Sequence, residues 1–189
     1  MPVRSVGKQL NVMSPLPSIG PDPPPSDVLL AVYLNDHLAG SMVGRELSRR
    51  SAGSNRGTLY EPFLSRLAQE IAEDRRSLLA TMDALGVRVD RLKAAAAWGG
   101  EKLGRLKLNG QLRGYSPLSR VVELEGLALG VMGKRGLWIT LGELARDHPV
   151  LVADELVVLR QRAESQLEGL ETHRIQAVAD AFGRRGPGG

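Results

Sequence analysis

The chain has 189 residues, of which 42% are hydrophobic and 24% are charged, a balance that allows a packed core and argues against wholesale disorder. Aromatic residues make up only 4%, which argues against an all-β sandwich, and the absence of cysteine excludes disulfide scaffolds, thiol catalysis and thiolate zinc sites. The formal net charge of +4 permits contact with nucleic acid or anionic lipid but does not require it.

The N-terminal segment, residues 1–26, contains seven prolines. Because proline lacks a backbone N–H and fixes φ, we predict an extended arm here rather than a helix or a central strand. No apolar run in the chain approaches the length of a membrane span, and no apolar stretch typical of a secretory signal follows the first cations. We therefore expect no membrane span and a cytoplasmic location.

After the arm, apolar residues recur at helical spacing and predict two long amphipathic helices. The first begins after Ser26 or Asp27, either of which can cap a helix, and runs to about residue 50. The second covers about residues 58–85 and stops at Gly86. The predicted core stripes are Leu29, Val32, Ala39 or Gly40, Val43 and Leu47 in the first helix, and Leu64, Leu67, Ile71, Leu78, Met82 and Leu85 in the second.

Two further long helices are predicted in the C-terminal half. The third begins at the Ser116-Pro117 cap and ends before His148, and the fourth covers about residues 150–182. Their predicted core stripes are Leu118, Val122, Leu129, Met132 and Ile139, and Val152, Leu156, Leu159, Ala163, Leu170, Ala177 and Ala181. We therefore predict an all-α bundle of four long helices over residues 27–182, followed by a flexible glycine-rich tail over residues 183–189.

Residues 87–116 form a long insert between the second and third helices, for which we expect one or two short helices that lean on the bundle. From Arg88 to Arg120 there are eight lysine or arginine residues against two acidic residues, with Trp98 and Tyr115 among them. This composition is typical of a solvated face, of a surface for an acidic protein or lipid, or of a nucleic-acid interface. The residues predicted to bind nucleic acid or another anion are Lys102, Arg105, Lys107 and Arg113.

Three pairs of glycines lie one helical turn apart: Gly40 and Gly44, Gly100 and Gly104, and Gly126 and Gly130. A glycine inside a helix costs about 1 kcal/mol relative to alanine, so the chain needs a compensating interaction. We expect that compensation to be close packing of helix backbones.

Each predicted core stripe is interrupted by one ionisable residue: Asp36, Asp74, Glu125 and His173. Charged groups are costly in a core unless they are paired or bind a metal. The four residues are therefore candidate ligands for iron or manganese. Two alternatives remain open: a buried polar network that pairs Asp36 or Asp74 with Arg45, Arg75 or His173, and a shift of helix phase that leaves the four residues at the surface.

Four long helices, a long connection after the second and interior carboxylates resemble the ferritin-like superfamily. In that family, two helices each supply a Glu and the other two each supply Glu-x-x-His. Here the second helix has Glu70-Ile-Ala-Glu73 and the fourth has Glu171-Thr-His173, so a complete di-iron centre is not supported. A connection that crosses the bundle, as in ferritins, would also separate the Asp36–Asp74 pair from the Glu125–His173 pair by roughly 15 Å.

From these features we expect a non-catalytic helical bundle that acts through its surface, as a homo-oligomer such as a homodimer. The first alternative is a degenerate ferritin-like metal-binding protein or oxidoreductase that uses the interior carboxylates and the histidine. The second alternative is a nucleic-acid-binding protein that uses the basic insert.

Overall fold

The computed structural model describes residues 25–90 and 115–183, and in these ranges it contains helices and no strand. The described part of the chain is an all-α four-helix bundle, which confirms the predicted fold class. Its helices are α1 (Ser26–Ser54), α2 (Glu61–Ala84), α3 (Pro117–Leu144) and α4 (Ala153–Phe182). Nearly all of the predicted arm, most of the insert and the tail beyond Gly183 lie outside the described residues. None of the described helices is long and apolar enough to cross a membrane.

Two helix ends follow the predicted local signals. The Ser116 side chain accepts a hydrogen bond from the Ser119 backbone N–H at 3.1 Å, and the reciprocal bond completes a capping box with Pro117 in the first turn. At the end of α2, Gly86 has φ of +68°. The N–H of Gly86 donates to the Asp83 carbonyl and that of Val87 to the Met82 carbonyl, the two bonds of a Schellman motif.

The ends of α1 differ from the prediction. The N-cap position is Pro25, without a side-chain cap, so the predicted cap by Ser26 or Asp27 is wrong. The helix also continues past residue 50 to Ser54, because the buried Asn55 side chain donates to the Ser51 carbonyl at 2.8 Å and so satisfies a carbonyl of the last turn.

The four helices form a square in which every neighbouring pair is antiparallel. The α1 helix lies between α2 and α3, and α4 closes the square against the other sides of α3 and α2. Two contacts fix the α1–α3 direction: Tyr33 donates to Thr140 at 3.2 Å, and Arg50 pairs with Glu123 at 3.1 Å. Residues early in α1 thus meet residues late in α3. The diagonal partners are α1 with α4 and α2 with α3.

The connection between α2 and α3 joins opposite ends of this square. Just after α2, the Asp90 backbone N–H donates to the Asn35 side chain at 2.7 Å. Just before α3, the Tyr115 hydroxyl accepts a hydrogen bond from Asn55 at 2.8 Å. Twenty residues of helix separate the two asparagines, a rise of about 30 Å along α1. The end of α2 and the start of α3 therefore lie at opposite ends of the bundle.

The core stripes were predicted correctly for α2 and mostly for α4, only in part for α1, and wrongly for α3. In α1, Leu29 and Val32 are exposed, whereas Leu47 is partly buried and packs against the core. The buried side chains of α1 include Leu34, Leu38 and Ser51. In α3, all five predicted core residues are exposed, and the buried residues are Ser119, Val121, Leu124, Leu127, Val131, Leu137, Trp138 and Leu141. The physical reason is that α3 is apolar on two faces and α1 buries small polar residues, so periodicity alone does not single out the inner face.

The positive φ of Gly86 yields a stability prediction. Gly86→Ala should lower the free energy of unfolding by about 1–2 kcal/mol, because a Cβ in the left-handed region meets the following carbonyl oxygen. Gly53→Ala is the matched control, since a Cβ at Gly53 meets nothing within 4 Å inside helix α1 and should raise stability by about 0.5–1 kcal/mol. Urea unfolding of both variants measures the difference, and equal effects would contradict the assigned turn.

Candidate functional site

The structure places the four predicted metal ligands in different environments. Asp74 is buried, His173 is half-buried, and Asp36 and Glu125 are exposed. The predicted burial of Asp36 and Glu125 is therefore wrong, because periodicity alone does not single out the inner faces of α1 and α3. Asp36 nevertheless lines the cavity between α1, α2 and α3 that is described below. For these two residues the alternative of shifted helix phase is the one observed.

The four predicted ligands also lie at different heights along the bundle. The His173 ring stacks on Phe63 with centroids 4.1 Å apart. Phe63 precedes Asp74 by eleven residues of α2, or about 16 Å of helix rise, so His173 and Asp74 belong to separate layers, as expected for a connection that crosses the bundle. Within residues 25–90 and 115–183, no three His, Asp or Glu side chains are grouped so that they could hold a metal ion. The iron or manganese site stays a prediction that this geometry does not support.

Asp74 instead forms the centre of a buried polar network, here called the Asp74 cluster, with Lys134, Arg162 and Gln166. The Lys134 ammonium donates to the Asp74 carboxylate and to the Gln166 amide oxygen. Arg162 donates to the other carboxylate oxygen of Asp74 at 3.0 Å. This cluster realises the buried-network alternative, but with partners from α3 and α4 rather than the predicted Arg45, Arg75 or His173.

The charges of the Asp74 cluster are compensated within the bundle. Burial lowers the pKa of Lys134, and the charge of Asp74 opposes that shift. The Gln166 amide also donates to Glu70 at 2.9 Å, which extends the network to the surface of α2. Because a buried ion is costly without its partner, the cluster fixes the relative heights of α2, α3 and α4.

A cavity of about 360 Å³ lies beside the Asp74 cluster, between α1, α2 and α3. This volume falls within the range of small-molecule sites in proteins. Lys134 belongs to both features, since it lines the cavity and binds Asp74. The apolar part of the cavity wall consists of Ile71, Leu78, Leu127, Leu129, Val131, Leu137 and Trp138.

Glycines form part of the cavity wall. A Cβ added at Gly40, Gly44, Gly130 or Gly133 would meet no atom within 4 Å. Close packing of helix backbones, predicted for the glycine pairs, is therefore wrong at Gly40, Gly44 and Gly130. It holds at Gly126, where a Cβ would approach Leu47 to 3.2 Å. The pair Gly100 and Gly104 lies outside the described residues.

A cation without an acidic partner lies in the cavity wall. The Nε of Arg75 is buried and has no hydrogen-bond partner, and among the described residues no carboxylate lies within ion-pair distance of its guanidinium. Burial lowers the pKa of Arg75, and the positive charge of Arg45 adds to this effect. On the α1 side, burial lowers the pKa of His37, while Asp36 opposes the shift. The cavity thus combines apolar walls with a cation, Arg75, that forms no ion pair among the described residues, and with two carboxylates, Asp36 and Asp74.

A second polar cluster closes the opposite end of the bundle around Arg120. Arg120 donates to Asn55 at 2.7 Å, lies 4.2 Å from the centroid of the Tyr60 ring and approaches Asp180 at 3.6 Å. The Tyr60 hydroxyl donates to Asp180 at 2.6 Å. Because these groups satisfy one another, we assign this Arg120 cluster a structural role, joining the end of α1 to α3 and α4.

The basic residues predicted to bind nucleic acid or another anion, Lys102, Arg105, Lys107 and Arg113, all lie outside the described residues. Nucleic-acid binding and contact with an acidic partner stay predictions. The cavity was missed at the sequence level because its wall combines residues from three helices. The glycines of α1 and α3 are a signal of the cavity in the sequence, but their spacing predicts close helix packing instead.

The Asp74 cluster predicts strong coupling between two side chains. Asp74→Ala should lower the free energy of unfolding by about 3–5 kcal/mol, because it leaves the Lys134 ammonium buried beside Arg162 without a carboxylate. Lys134→Met in the same chain should recover part of that loss, so the double-mutant cycle measured by urea unfolding should be non-additive. Additive effects, or a loss below about 1 kcal/mol for Asp74→Ala, would contradict the assigned pairing.

The raised pKa of Tyr60 predicts that the protein loses stability at alkaline pH. Burial, with the adjacent Asp180, raises the pKa of Tyr60 from 10.0 to about 12. Between these two pH values the folded chain keeps a proton that the unfolded chain has lost, so the free energy of unfolding should fall as pH rises from 10 to about 12. Tyr60→Phe should remove this component. The difference in tyrosinate absorbance between wild type and variant should appear with a midpoint at a pH of about 12. A midpoint at the ordinary tyrosine pKa of 10.0 would refute the assignment.

No protein family, curated protein sequence or solved structure matches the chain. The four-helix all-α architecture is therefore described from the structure itself.

Proposed function

We propose that the protein binds an apolar molecule with a carboxylate group in the cavity between α1, α2 and α3. The observation that carries this proposal is the Arg75 side chain: it lies in the wall of a mainly apolar cavity, its buried Nε has no hydrogen-bond partner, and the described residues form no ion pair with it. Asp36 and Asp74 also line the cavity, and the Asp74 carboxylate is bound by Lys134 and Arg162. A half-buried cation loses part of its hydration, and an anion at its guanidinium would offset that cost. Arginine suits a carboxylate, since its planar fork can donate two parallel hydrogen bonds.

The walls of the cavity support an apolar body for the ligand. Its side chains are mainly aliphatic, and Trp138 adds an aromatic surface. The four open glycines each cost helix stability of about 1 kcal/mol relative to alanine, and no side chain of the described chain packs against them. An occupant of the cavity would supply the missing compensation, because it would contact the space that the absent side chains leave.

The state of the polar groups favours binding over catalysis. The Asp74 carboxylate, which adjoins the cavity, already accepts hydrogen bonds from Lys134, Arg162 and Gln166, so it is not poised to take a proton from a substrate. The expectation of a non-catalytic bundle is part of this proposal. The ferritin-like relationship and the cytoplasmic location remain parts of the proposal, the former supported by the connection that runs between opposite ends of the bundle.

Titration calorimetry with decanoate and decanol tests the head-group preference. Wild-type protein should bind one decanoate per chain and bind decanol more weakly. Arg75→Met should weaken decanoate binding by about tenfold and leave decanol unchanged, because a hydrogen bond to a charged group contributes about 1.5–3 kcal/mol. Equal affinity of the wild type for the two ligands would contradict the role of Arg75.

Filling the cavity tests its location. Gly40→Leu and Gly130→Leu place a side chain in space that is open in the structure, so both variants should fold and lose decanoate binding. Gly53→Leu adds the same side chain to an open helix position outside the cavity and should bind decanoate as the wild type does. Undiminished binding in both cavity variants, or no binding by the wild type, would refute the proposal.

A further inference from the structure

Helix α3 carries a second apolar face, directed away from the core. Its members, here called the α3 outer stripe, are Val122, Leu129, Met132 and Ile139, all of them exposed. Leu129 is 70% exposed and Met132 is 57% exposed. The stripe extends over about 26 Å of helix. Among the described residues no other helix covers it, and exposed apolar residues aligned in this way mark a candidate interaction surface.

The spacing of the α3 outer stripe is the same in both directions along the helix. The intervals between its four members are seven, three and seven residues. Leu118, which is also exposed, lies four residues before Val122 and outside this symmetric set, since its mirrored position is Glu143. Two antiparallel copies of α3, related by a two-fold axis between Gly130 and Val131, would therefore place Val122 opposite Ile139 and Leu129 opposite Met132. A two-fold interface requires such self-complementarity, because the same patch serves on both subunits.

The charges beside the stripe agree with the same two-fold axis. Glu125 and Arg135 both lie on the side of α3 that faces α4, where they pair with Arg174 and Glu164 respectively. The axis that matches the apolar residues places Glu125 of one copy within one residue of the height of Arg135 in the other. Both side chains are partly exposed, so each can reach an opposite charge across the interface.

We infer that the chain forms a homodimer through antiparallel contact of two α3 helices along the outer stripe. The occupant is a second copy because both the apolar spacing and the order of charges are self-complementary about one axis. A different partner would need only an apolar face and would not require this symmetry. The interface adjoins the proposed ligand site at Leu129, which also lines the cavity, whereas Val122, Met132 and Ile139 do not.

Sedimentation equilibrium of the full chain tests the dimer. The wild type should be a dimer at micromolar concentration, and Met132→Glu should raise the dissociation constant by about tenfold or more, since it places two carboxylates in an apolar contact. Ile175→Glu on α4 is the matched control, because Ile175 is 58% exposed against 57% for Met132, and it should leave the dimer unchanged. A monomeric wild type, or equal effects of the two substitutions, would overturn the inference.

Charge exchange tests the orientation of the two helices. Glu125→Arg and Arg135→Glu should each weaken the dimer, and the double variant should regain affinity because it restores opposite charges across the two-fold axis. A double variant weaker than both single variants would overturn the antiparallel arrangement. Met132→Glu should keep wild-type affinity for decanoate, so failure of the dimer and failure of the ligand proposal can be told apart.

Discussion

The need to neutralise one buried carboxylate constrains the arrangement of three helices. Asp74 lies in the apolar face of α2, where water cannot solvate it, and its two oxygens bind a lysine from α3 and an arginine from α4. Sliding any of these helices by one turn would move a charge about 5 Å from its partner, so the relative heights of α2, α3 and α4 follow from this pairing. The apolar core supplies the driving force for burial, and the Asp74 cluster selects the register.

The cavity depends on the same constraint. Lys134 reaches across to Asp74 from the cavity wall, so the pairing that sets the register also holds one side of the cavity in place. Small residues on α1 and α3 keep the space open, and Arg75 brings a positive charge to it that forms no ion pair among the described residues. The proposed ligand site therefore has a polar cluster on one side and open apolar walls on the other.

At the other end of the bundle, the Arg120 cluster joins three helices and sets where α3 starts. Asn55 links the end of α1 both to Tyr115 and to Arg120, so α3 begins at the end of the bundle opposite to that where α2 stops. The resulting order makes α2 and α3 parallel and diagonal. It also separates His173 from Asp74, and Asp36 and Glu125 are exposed, so the four ionisable residues predicted to face the core do not form one metal site.

The sequence by itself determined the four helices, the capped start of α3, the glycine stop of α2 and the burial of Asp74, because these depend on local backbone chemistry or on a helix with one apolar face. Tertiary structure alone decided the inner faces of α1 and α3. Leu129 and Leu127 are equally apolar, and only packing against the neighbouring helices buries the second and leaves the first exposed. The partners of Asp74 and the cavity likewise depend on residues far apart in sequence, whose proximity arises from the relative heights of the helices and from no local pattern.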